Sequence, residues 1–126
     1  ACPTARLKVI LETGMLPDLA LVANASAVVM AAGADFIKTS TGKAEKGATL
    51  EAGTVMARAI QAHYQRTGHR VGLKPSGGIR SAQHALQWLH LVQEELGAVW
   101  LQPSLFRLGA SSLLARLQQQ LRLLEA

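Results

Sequence analysis

The sequence predicts an α/β fold in which four strands alternate with four helices in a single domain. The 126 residues are 49% hydrophobic and 17% charged, which is typical of a globular α/β protein and not of a disordered chain. Short apolar runs alternate with longer segments of helical periodicity, in the order βαβαβαβα. Because the runs are apolar throughout, the strands need helices on both sides or closure into a barrel. Four such units make either half of an eight-stranded barrel or a small doubly wound sheet.

The first strand and helix come from the most apolar part of the chain. The run LKVILET (7–13) is β-branched and apolar, and a glycine and a proline follow it, which indicates a buried strand. The stretch PDLALVANASAVVMAAG (17–33) predicts a buried helix, with Pro17 in its first turn and Gly33 at its end. Its apolar part is shorter than the roughly 20 residues of a membrane span and contains Asn24, so we expect no membrane partner.

The second strand and helix lie on either side of a loop that contains glycine. The strand is DFIKTS (35–40), and Gly42 belongs to the loop that follows it. Helical spacing of apolar residues predicts a helix over 49–66, which Gly68 ends. Its inward positions are Val55, Met56, Ala59, Ile60 and Tyr64.

The last two units follow the same order. The third strand is VGLKPSG (71–77), and Ser81 is a suitable N-cap for the helix AQHALQWLHLVQEELG (82–97). The fourth strand is LFRLGAS (105–111), and the last helix is SLLARLQQQLRLLEA (112–126). In the third helix the predicted apolar stripe is formed by Leu86, Leu89 and Val92. In the last helix the predicted buried residues are Leu113, Leu114, Leu117, Leu121 and Leu124.

The charge pattern favours a phosphorylated substrate over a nucleic-acid partner. The net charge is +5, without a run of five like charges and with few aromatic residues among the cations. A single cysteine, Cys2, excludes an internal disulfide framework and fits a reducing compartment. The opening ACPTARLK lacks the apolar region of a secretory signal, so we expect a cytoplasmic protein.

Polar and glycine residues gather where three of the predicted strands end. In parallel α/β folds the carboxyl ends of the strands form the ligand-binding face, so these groups are expected on one side of the sheet. After the second strand they are Lys38, Thr39, Ser40, Thr41, Gly42 and Lys43. After the third strand they are Lys74, Ser76, Gly77, Gly78 and Arg80, and after the fourth they are Gly109, Ser111 and Ser112.

Two lysines at these strand ends suggest amine chemistry. If the second and third strands are neighbours, Lys38 and Lys74 lie on strands about 4.8 Å apart. An ammonium group beside another ammonium group, with an apolar strand behind it, loses its proton more readily. The neutral amine can then attack a carbonyl carbon and form an imine. The alternative is that both lysines extend to water and have no chemical role.

Two glycine motifs suggest a phosphate site. SGGIRS and GASS each combine small residues with the start of a helix, where free backbone N–H groups and the helix dipole attract anions. Each motif alone is more typical of a tight turn with a serine cap, but two of them after the last two strands favour phosphate. The four histidines lack the spacing of metal ligands, so we expect no metal site. Glu12 either contacts the site or caps a turn.

Four segments carry a family resemblance. LKVILETG, AAGADFIKTSTGK, GLKPSGGIRSAQHAL and LFRLGASSLL resemble, in order and spacing, the C-terminal half of the 2-deoxyribose-5-phosphate aldolase family. The resemblance runs from about Leu7 to Leu117, and WLHLVQEELGAVWLQPSLFRLGAS looks like the animal-type branch. It implies the C-terminal half of a (β/α)8 TIM barrel, with 1–126 as one partial domain. It also implies a class I, metal-free aldolase without a cofactor.

The resemblance implies a reaction and a role for each matching residue. The reaction is the reversible cleavage of 2-deoxy-D-ribose 5-phosphate to D-glyceraldehyde 3-phosphate and acetaldehyde, a step of deoxyribonucleotide catabolism and carbohydrate degradation. Lys38 would be the Schiff-base lysine, and Lys74 the neighbour that lowers its pKa and transfers protons. The family pattern often has alanine at Ser76, a small change beside the loop. The residues expected to hold the substrate phosphate are Gly42, Lys43, Gly77, Gly78, Ser111 and Ser112.

The resemblance leaves the family's first four βα units unmatched, together with an aspartate that relays protons. Asp18 opens a helix and Asp35 starts a strand at the opposite end, so neither replaces it. We therefore expect the chain alone to be a poor catalyst. It is a fragment, a truncated product, or one half of an assembly with a complementing N-terminal half or a second copy, and the sequence leaves these alternatives open. The alternatives are a non-catalytic half-barrel that binds a phosphosugar or a partner, and a lysine-dependent aldolase for another phosphosugar. An RNA-binding module is less favoured, because the cations cluster with glycines and not with aromatic residues.

Overall fold

In the computed structural model, which describes residues 4–126, parallel strands alternate with helices in the predicted order. Within these residues the strands form one sheet in the order β1-β2-β3. The strands are β1 (Lys8–Ile10), β2 (Phe36–Lys38) and β3 (Gly72–Lys74). The helices are α1 (Leu19–Ala31), α2 (Leu50–Thr67), α3 (Ala82–Leu96) and α4 (Leu113–Glu125). Cys2, the lone thiol of the chain, lies outside the described residues.

The predicted fourth strand at 105–111 is wrong as a continuous strand. This segment joins β3 through two isolated parallel bridges, Leu73 with Phe106 and Ser76 with Gly109. Between the bridges lies Pro75, which accepts a hydrogen bond from the Gly109 N–H but has no N–H of its own to donate. The ladder is therefore interrupted there, although the segment still lies beside β3 and brings its glycine to the strand ends.

The alternation of side chains along the strands separates a core face from an inner face. Ile37 and Leu73 point toward the helices and are fully buried. The main partners from α2 are Met56 and Ile60, which are also fully buried, as predicted from their helical spacing. Residues one position before and after Ile37 and Leu73 therefore face the other side of the sheet, where the lysines lie.

The helix ends are set by short side chains, largely as predicted. The side chain of Ser81 accepts a hydrogen bond from the His84 N–H at 3.0 Å, which confirms it as the N-cap of α3. Asp18 caps α1 in the same way, by accepting from the Leu21 N–H at 2.9 Å. Pro17 precedes this cap and does not belong to the first turn, because the capping carboxylate displaces the start of the helix.

The prediction that α1 is a buried helix is only partly correct. Val22, Ser26 and Met30 are buried against the rest of the chain, whereas Leu21 and Val28 on other faces are exposed. The helix is apolar on all sides, but the described residues cover one side of it. Among residues 4–126, no helix has both the length and the hydropathy needed to span a membrane.

Two predicted apolar stripes are wrong. In α3, Val92 is buried but Leu86 and Leu89 are exposed, because Trp88 occupies the core and turns a different face inward. In α4, Leu113 is buried and Leu117 is half-buried. The other predicted core residues of α4, Leu114, Leu121 and Leu124, are 70%, 59% and 78% exposed, because no described element packs over that part of the helix.

The packing of α2 against α3 depends on a glycine. A Cβ atom added at Gly53 would lie 2.2 Å from Cζ3 and 2.5 Å from Cη2 of Trp88. Trp88 is fully buried, so its indole ring has no free space into which it can move. Gly53 is therefore required by the close approach of the ring, not by its own backbone conformation.

We expect Gly53→Ala to lower the free energy of unfolding by about 1–3 kcal/mol, because the added methyl group overpacks the core. Without this overpacking, the higher helix propensity of alanine would raise the free energy of unfolding by about 1 kcal/mol. The sign of the measured change in the free energy of unfolding therefore tests the packing directly. Urea denaturation followed by circular dichroism measures it. Gln65→Ala, at an exposed position of the same helix, serves as the control and should change stability by less than about 0.5 kcal/mol. A Gly53→Ala protein as stable as the parent would contradict this packing.

Candidate active site

The candidate site lies at the carboxyl ends of β2 and β3, where Lys38 and Lys74 are paired in the parallel register. Ile37 and Leu73, one position earlier, point into the helical core. Both lysines therefore project from the opposite, inner face of the sheet at the same level. The structure thus brings together the two lysines that the sequence singled out, on strands about 4.8 Å apart.

The amine of Lys38 is in an environment that favours its neutral form. Burial lowers the pKa of Lys38, and the positive charge of Lys74 lowers it further. The carboxylate of Glu12 acts in the opposite direction and raises this pKa, but by less. The amine also donates a hydrogen bond to the carbonyl oxygen of Ser40. Lys38 is therefore both oriented and partly deprived of the water that stabilises an ammonium ion.

Sequence analysis missed a third lysine on the same face. Lys8 is two residues before Ile10, the register partner of Lys38, so its side chain lies on the inner face one layer below. Burial lowers the pKa of Lys8, and the positive charge of Lys74 lowers it further. The available signal was that Lys8 and Ile10 are two residues apart in LKVI, which places both side chains on the same face of a strand. That this face is the inner one follows only from the register of β1 with β2.

The ring of Phe36 lies beside two cations on the inner face. The Lys8 ammonium is 5.7 Å from the centre of the Phe36 ring, and the Arg107 guanidinium is 4.7 Å from it. Phe36 fits because Gly72 lies beside it: a Cβ atom at Gly72 would be 2.4 Å from Cε1 of the ring. The inner face is therefore strongly cationic, with an aromatic ring that stabilises two of its charges.

A cavity of about 370 Å³ opens beside the lysines. Six of the eight residues predicted for the site line this cavity, and Arg80 and Ser76 line it as well. Lys43, which is exposed, and Ser112, next to α4, adjoin lining residues without lining the cavity themselves. The predicted residues that line it are Lys38, Lys74, Gly42, Gly77, Gly78 and Ser111.

The glycine loop after β3 has a backbone that only glycine adopts readily. Gly77 and Gly78 have φ values of 93° and 82°, in the region that disfavours a side chain. A Cβ atom at Gly77 would also lie 2.8 Å from Cα of Gly47, in the loop after β2. The two loops are thus packed backbone to backbone, which holds the wall of the cavity in place.

Glu12 contacts the site, which decides between the two roles left open above. Its carboxylate accepts hydrogen bonds from the Thr41 N–H at 3.3 Å and from the Thr41 hydroxyl at 2.6 Å. The Thr41 hydroxyl oxygen in turn accepts from the Lys43 N–H at 3.1 Å. Glu12 has a φ of 54°, which makes it the one non-glycine residue with positive φ in the described part of the chain. A strained residue thus ties the end of β1 to the loop after β2.

The histidines lie away from the lysines. His63 is buried in α2 with its ring 5.6 Å from that of His69, and burial, then His69, lower its pKa. His69 lies 3.9 Å from Asp35, just before β2 and so at the end of the sheet opposite the lysines. Within residues 4–126, no group of three or more His, Cys, Asp or Glu side chains is placed to hold a metal ion.

Comparison with known proteins identifies relatives of this chain. A family model described as DeoC/LacD family aldolase matches residues 1–119. The deoxyribose-phosphate aldolase of Mus musculus is 55% identical over 121 residues, which are 96% of this chain and 38% of that protein. The chain thus spans little more than a third of the length of this curated relative.

Solved structures match the same fold. A proposed deoxyribose-phosphate aldolase from Toxoplasma gondii ME49 superimposes with a TM-score of 0.85 at 24% identity, over 92% of this chain and 46% of that one. The tetrameric deoxyribose phosphate aldolase from Aeropyrum pernix gives a TM-score of 0.66 at 28% identity, over 94% and 43%. These likenesses confirm the predicted fold, four βα units of a TIM barrel, with the last strand reduced to bridges.

We expect Glu12→Ala to release the Thr41 loop and to lower the pKa of Lys38 further. Loss of the carboxylate removes the acceptor for two Thr41 donors and the charge that stabilises the Lys38 ammonium ion. Hydrogen exchange measures the first effect as faster exchange at Thr41 and Lys43. The pH dependence of Lys38 acetylation measures the second, as a midpoint displaced to lower pH.

The matched control is Glu45→Ala, which removes an exposed acid of the same loop that is not among the charges acting on Lys38. It should leave both the exchange rates and the midpoint unchanged. An unchanged midpoint in Glu12→Ala would show that its carboxylate does not act on the amine.

Proposed function

The chain belongs to the DeoC/LacD family of aldolases, and from that premise we propose that Lys38 forms a Schiff base with a phosphorylated deoxysugar. The proposed reaction is reversible cleavage of 2-deoxy-D-ribose 5-phosphate to D-glyceraldehyde 3-phosphate and acetaldehyde. The observation that carries the proposal is the pairing of Lys38 with Lys74 in register on the inner face. The name of the mouse relative, a deoxyribose-phosphate aldolase, supports the choice of substrate.

In the proposed mechanism the neutral amine of Lys38 attacks the aldehyde carbon of the open-chain sugar. Loss of water from the resulting carbinolamine gives an iminium ion. A base removes the proton of the 3-hydroxyl group, the bond between C2 and C3 breaks, and its electron pair moves toward the iminium nitrogen. D-Glyceraldehyde 3-phosphate leaves, and protonation of the remaining enamine at C2, followed by hydrolysis, releases acetaldehyde and the free amine.

The environments of Lys38 and Lys74 support different proposed roles for the two lysines. Lys38 is the proposed nucleophile because burial and a neighbouring charge both lower its pKa. Lys74 supplies that charge and lies at the same level, which suits it to transfer protons at the carbinolamine. Lys8 lies near Lys74 on the same face, close enough for its pKa to be lowered by that charge, and places a third amine one layer further into the sheet.

The substrate phosphate is proposed to bind at the glycine loops. Gly42, Gly77, Gly78 and Ser111 line the cavity, and the helices α3 and α4 begin just beyond two of these loops. Helix N-termini attract anions through their free N–H groups and their dipole. Lys43 and Ser112, which adjoin the lining residues, are proposed to complete the phosphate contacts, and Arg80 adds a further charge.

Turnover by these 126 residues is proposed to be slow. Asp18 is engaged as a helix cap, and Asp35 accepts a hydrogen bond from the Leu7 N–H at 2.8 Å at the far end of the sheet. Glu12 is the acid whose charge acts on Lys38, and it is committed to Thr41. We propose that a segment with a carboxylate, from a complementing N-terminal half or another copy, completes the site. A cytoplasmic location and a role in deoxyribonucleotide catabolism belong to the same proposal.

The second candidate is a non-catalytic half-barrel that binds a phosphosugar or a partner. Its support is that Asp18 and Glu12 are committed to other contacts, together with the exposed apolar faces of α1 and α4. This candidate predicts phosphosugar binding that survives loss of Lys38, with no imine formed. It is therefore separated from the aldolase by the two experiments below.

We expect acetaldehyde and borohydride to label Lys38 selectively near pH 6, where ordinary lysines are protonated and unreactive. Peptide mapping by mass spectrometry locates the reduced ethyl adduct. Lys38→Met should abolish selective labelling, whereas Lys46→Met, which removes an exposed lysine of the same loop, should leave it intact. Equal labelling of the Lys38→Met protein would exclude Lys38 as the nucleophile.

We expect Lys43→Gln to weaken binding of 2-deoxyribose 5-phosphate by roughly three- to tenfold, because one charge-assisted contact to phosphate is lost. Titration calorimetry at fixed salt concentration measures the affinity. Lys46→Gln changes the net charge equally on the same loop and should have a smaller effect. If Lys38→Met binds the sugar phosphate normally and the parent chain forms no adduct, the non-catalytic alternative holds.

A further inference from the structure

One buried backbone oxygen at the site accepts hydrogen bonds from two side chains. The carbonyl oxygen of Ser40 accepts from the Lys38 amine and, at 2.6 Å, from the hydroxyl group of Ser76. Ser40 is fully buried and Ser76 is only 5% exposed. The two donors therefore meet on a single acceptor in a part of the site where little water competes for it.

The residue that carries this hydroxyl group, Ser76, is held in place from both sides. The Ser76 N–H donates to Oγ1 of Thr39 at 3.0 Å, and Oγ1 of Thr39 donates to the Ser76 carbonyl oxygen at 3.1 Å. On the other side Gly109 lies so close that a Cβ atom there would be 2.5 Å from Cβ of Ser76. The backbone and Cβ of Ser76 are thus fixed in place, and its hydroxyl group is directed at the Ser40 carbonyl oxygen.

We propose that Ser76 is a positioning residue for Lys38, and that it acts through the Ser40 carbonyl oxygen that both side chains share. A carbonyl oxygen has two lone pairs, and a donor on one of them draws electron density away from the other. The Ser76 hydroxyl therefore weakens the hold of this oxygen on the Lys38 ammonium ion. It also keeps the oxygen satisfied when Lys38 is left with a single N–H in the iminium ion, a benefit that rests on the proposed function.

The charged groups that face Lys38 come from other elements and do not include Ser76. They are Lys74 on β3, Lys8 on β1 and Glu12 directly after β1. A change of the neutral Ser76 hydroxyl leaves these charges in place. A change in the protonation of Lys38 after substitution of Ser76 therefore reports the shared hydrogen bond.

The test is Ser76→Ala in the 126-residue chain, which removes the hydroxyl group and keeps the Cβ atom. Competitive acetylation with acetic anhydride, followed by peptide mapping, gives the reactivity of Lys38 relative to the exposed Lys46 as a function of pH. Without the second donor, the Ser40 oxygen stabilises the ammonium ion more strongly. We expect the midpoint to move to higher pH and Lys38 to be acetylated roughly two- to fivefold more slowly below it.

Two further variants separate positioning from a structural effect. Ser26→Ala removes another buried serine hydroxyl that donates to a backbone oxygen, that of Val22 at 2.8 Å, in α1 and away from the lysines. It should leave the midpoint unchanged even if it lowers stability. Ser76→Cys keeps a weaker donor and should give a midpoint between those of the parent and Ser76→Ala. A Ser76→Ala midpoint equal to that of the parent, or an equal shift in Ser26→Ala, would overturn the proposal.

Borohydride trapping on the same samples distinguishes this inference from the proposed function. If Lys38 forms the adduct but its acetylation midpoint does not move in Ser76→Ala, the aldolase proposal stands and the role of Ser76 is wrong. If the midpoint moves but the parent forms no adduct, Ser76 positions an amine that does not act as a Schiff-base nucleophile.

Discussion

The parallel register between β2 and β3 is the constraint on which the site depends. It sets Lys38 opposite Lys74, so that two cationic side chains leave the sheet at the same level. The register itself is locked just beyond the lysines, where Thr39 exchanges two hydrogen bonds with the backbone of Ser76. A slip of either strand by one residue would turn its lysine into the helical core and bring its core residue, Ile37 or Leu73, to the inner face. The chemistry and the packing of the core therefore require the same alignment.

The inner face requires small residues as strictly as it requires lysines. Gly72 makes room for the Phe36 ring, and that ring lies beside two of the cations. Gly109 approaches both Ser76 and Cε of Lys74, so the segment after α3 closes against the site without forming a full strand. The positions that lack a side chain thus determine how close the charged groups lie to one another.

The features that the sequence predicted correctly are those that local patterns encode. Lys38 and Lys74 end apolar runs, and Ser81 stands one residue before a helix, so neighbouring residues alone reveal their placement. Lys8, Glu12 and the hydroxyl of Ser76 act on residues distant in the chain, and their roles follow from register and loop packing that no local pattern contains. The exposure of Leu114 and Leu124 was mispredicted for a similar reason, because periodicity shows which face is apolar but not whether another element covers it.

The energetic effect of Lys38 on folding favours a chemical role over simple binding. Its pKa is lowered in the folded chain, so the folded state binds this proton less tightly than the unfolded state does. Lys38 therefore opposes folding at neutral and acidic pH, and that cost disappears only as the pH rises toward the value of an unperturbed lysine, about 10.4. A phosphate site would gain from an exposed lysine such as Lys43 and has no need of a half-buried amine beside a second cation. A nucleophile does need that arrangement, because only the neutral amine attacks a carbonyl carbon.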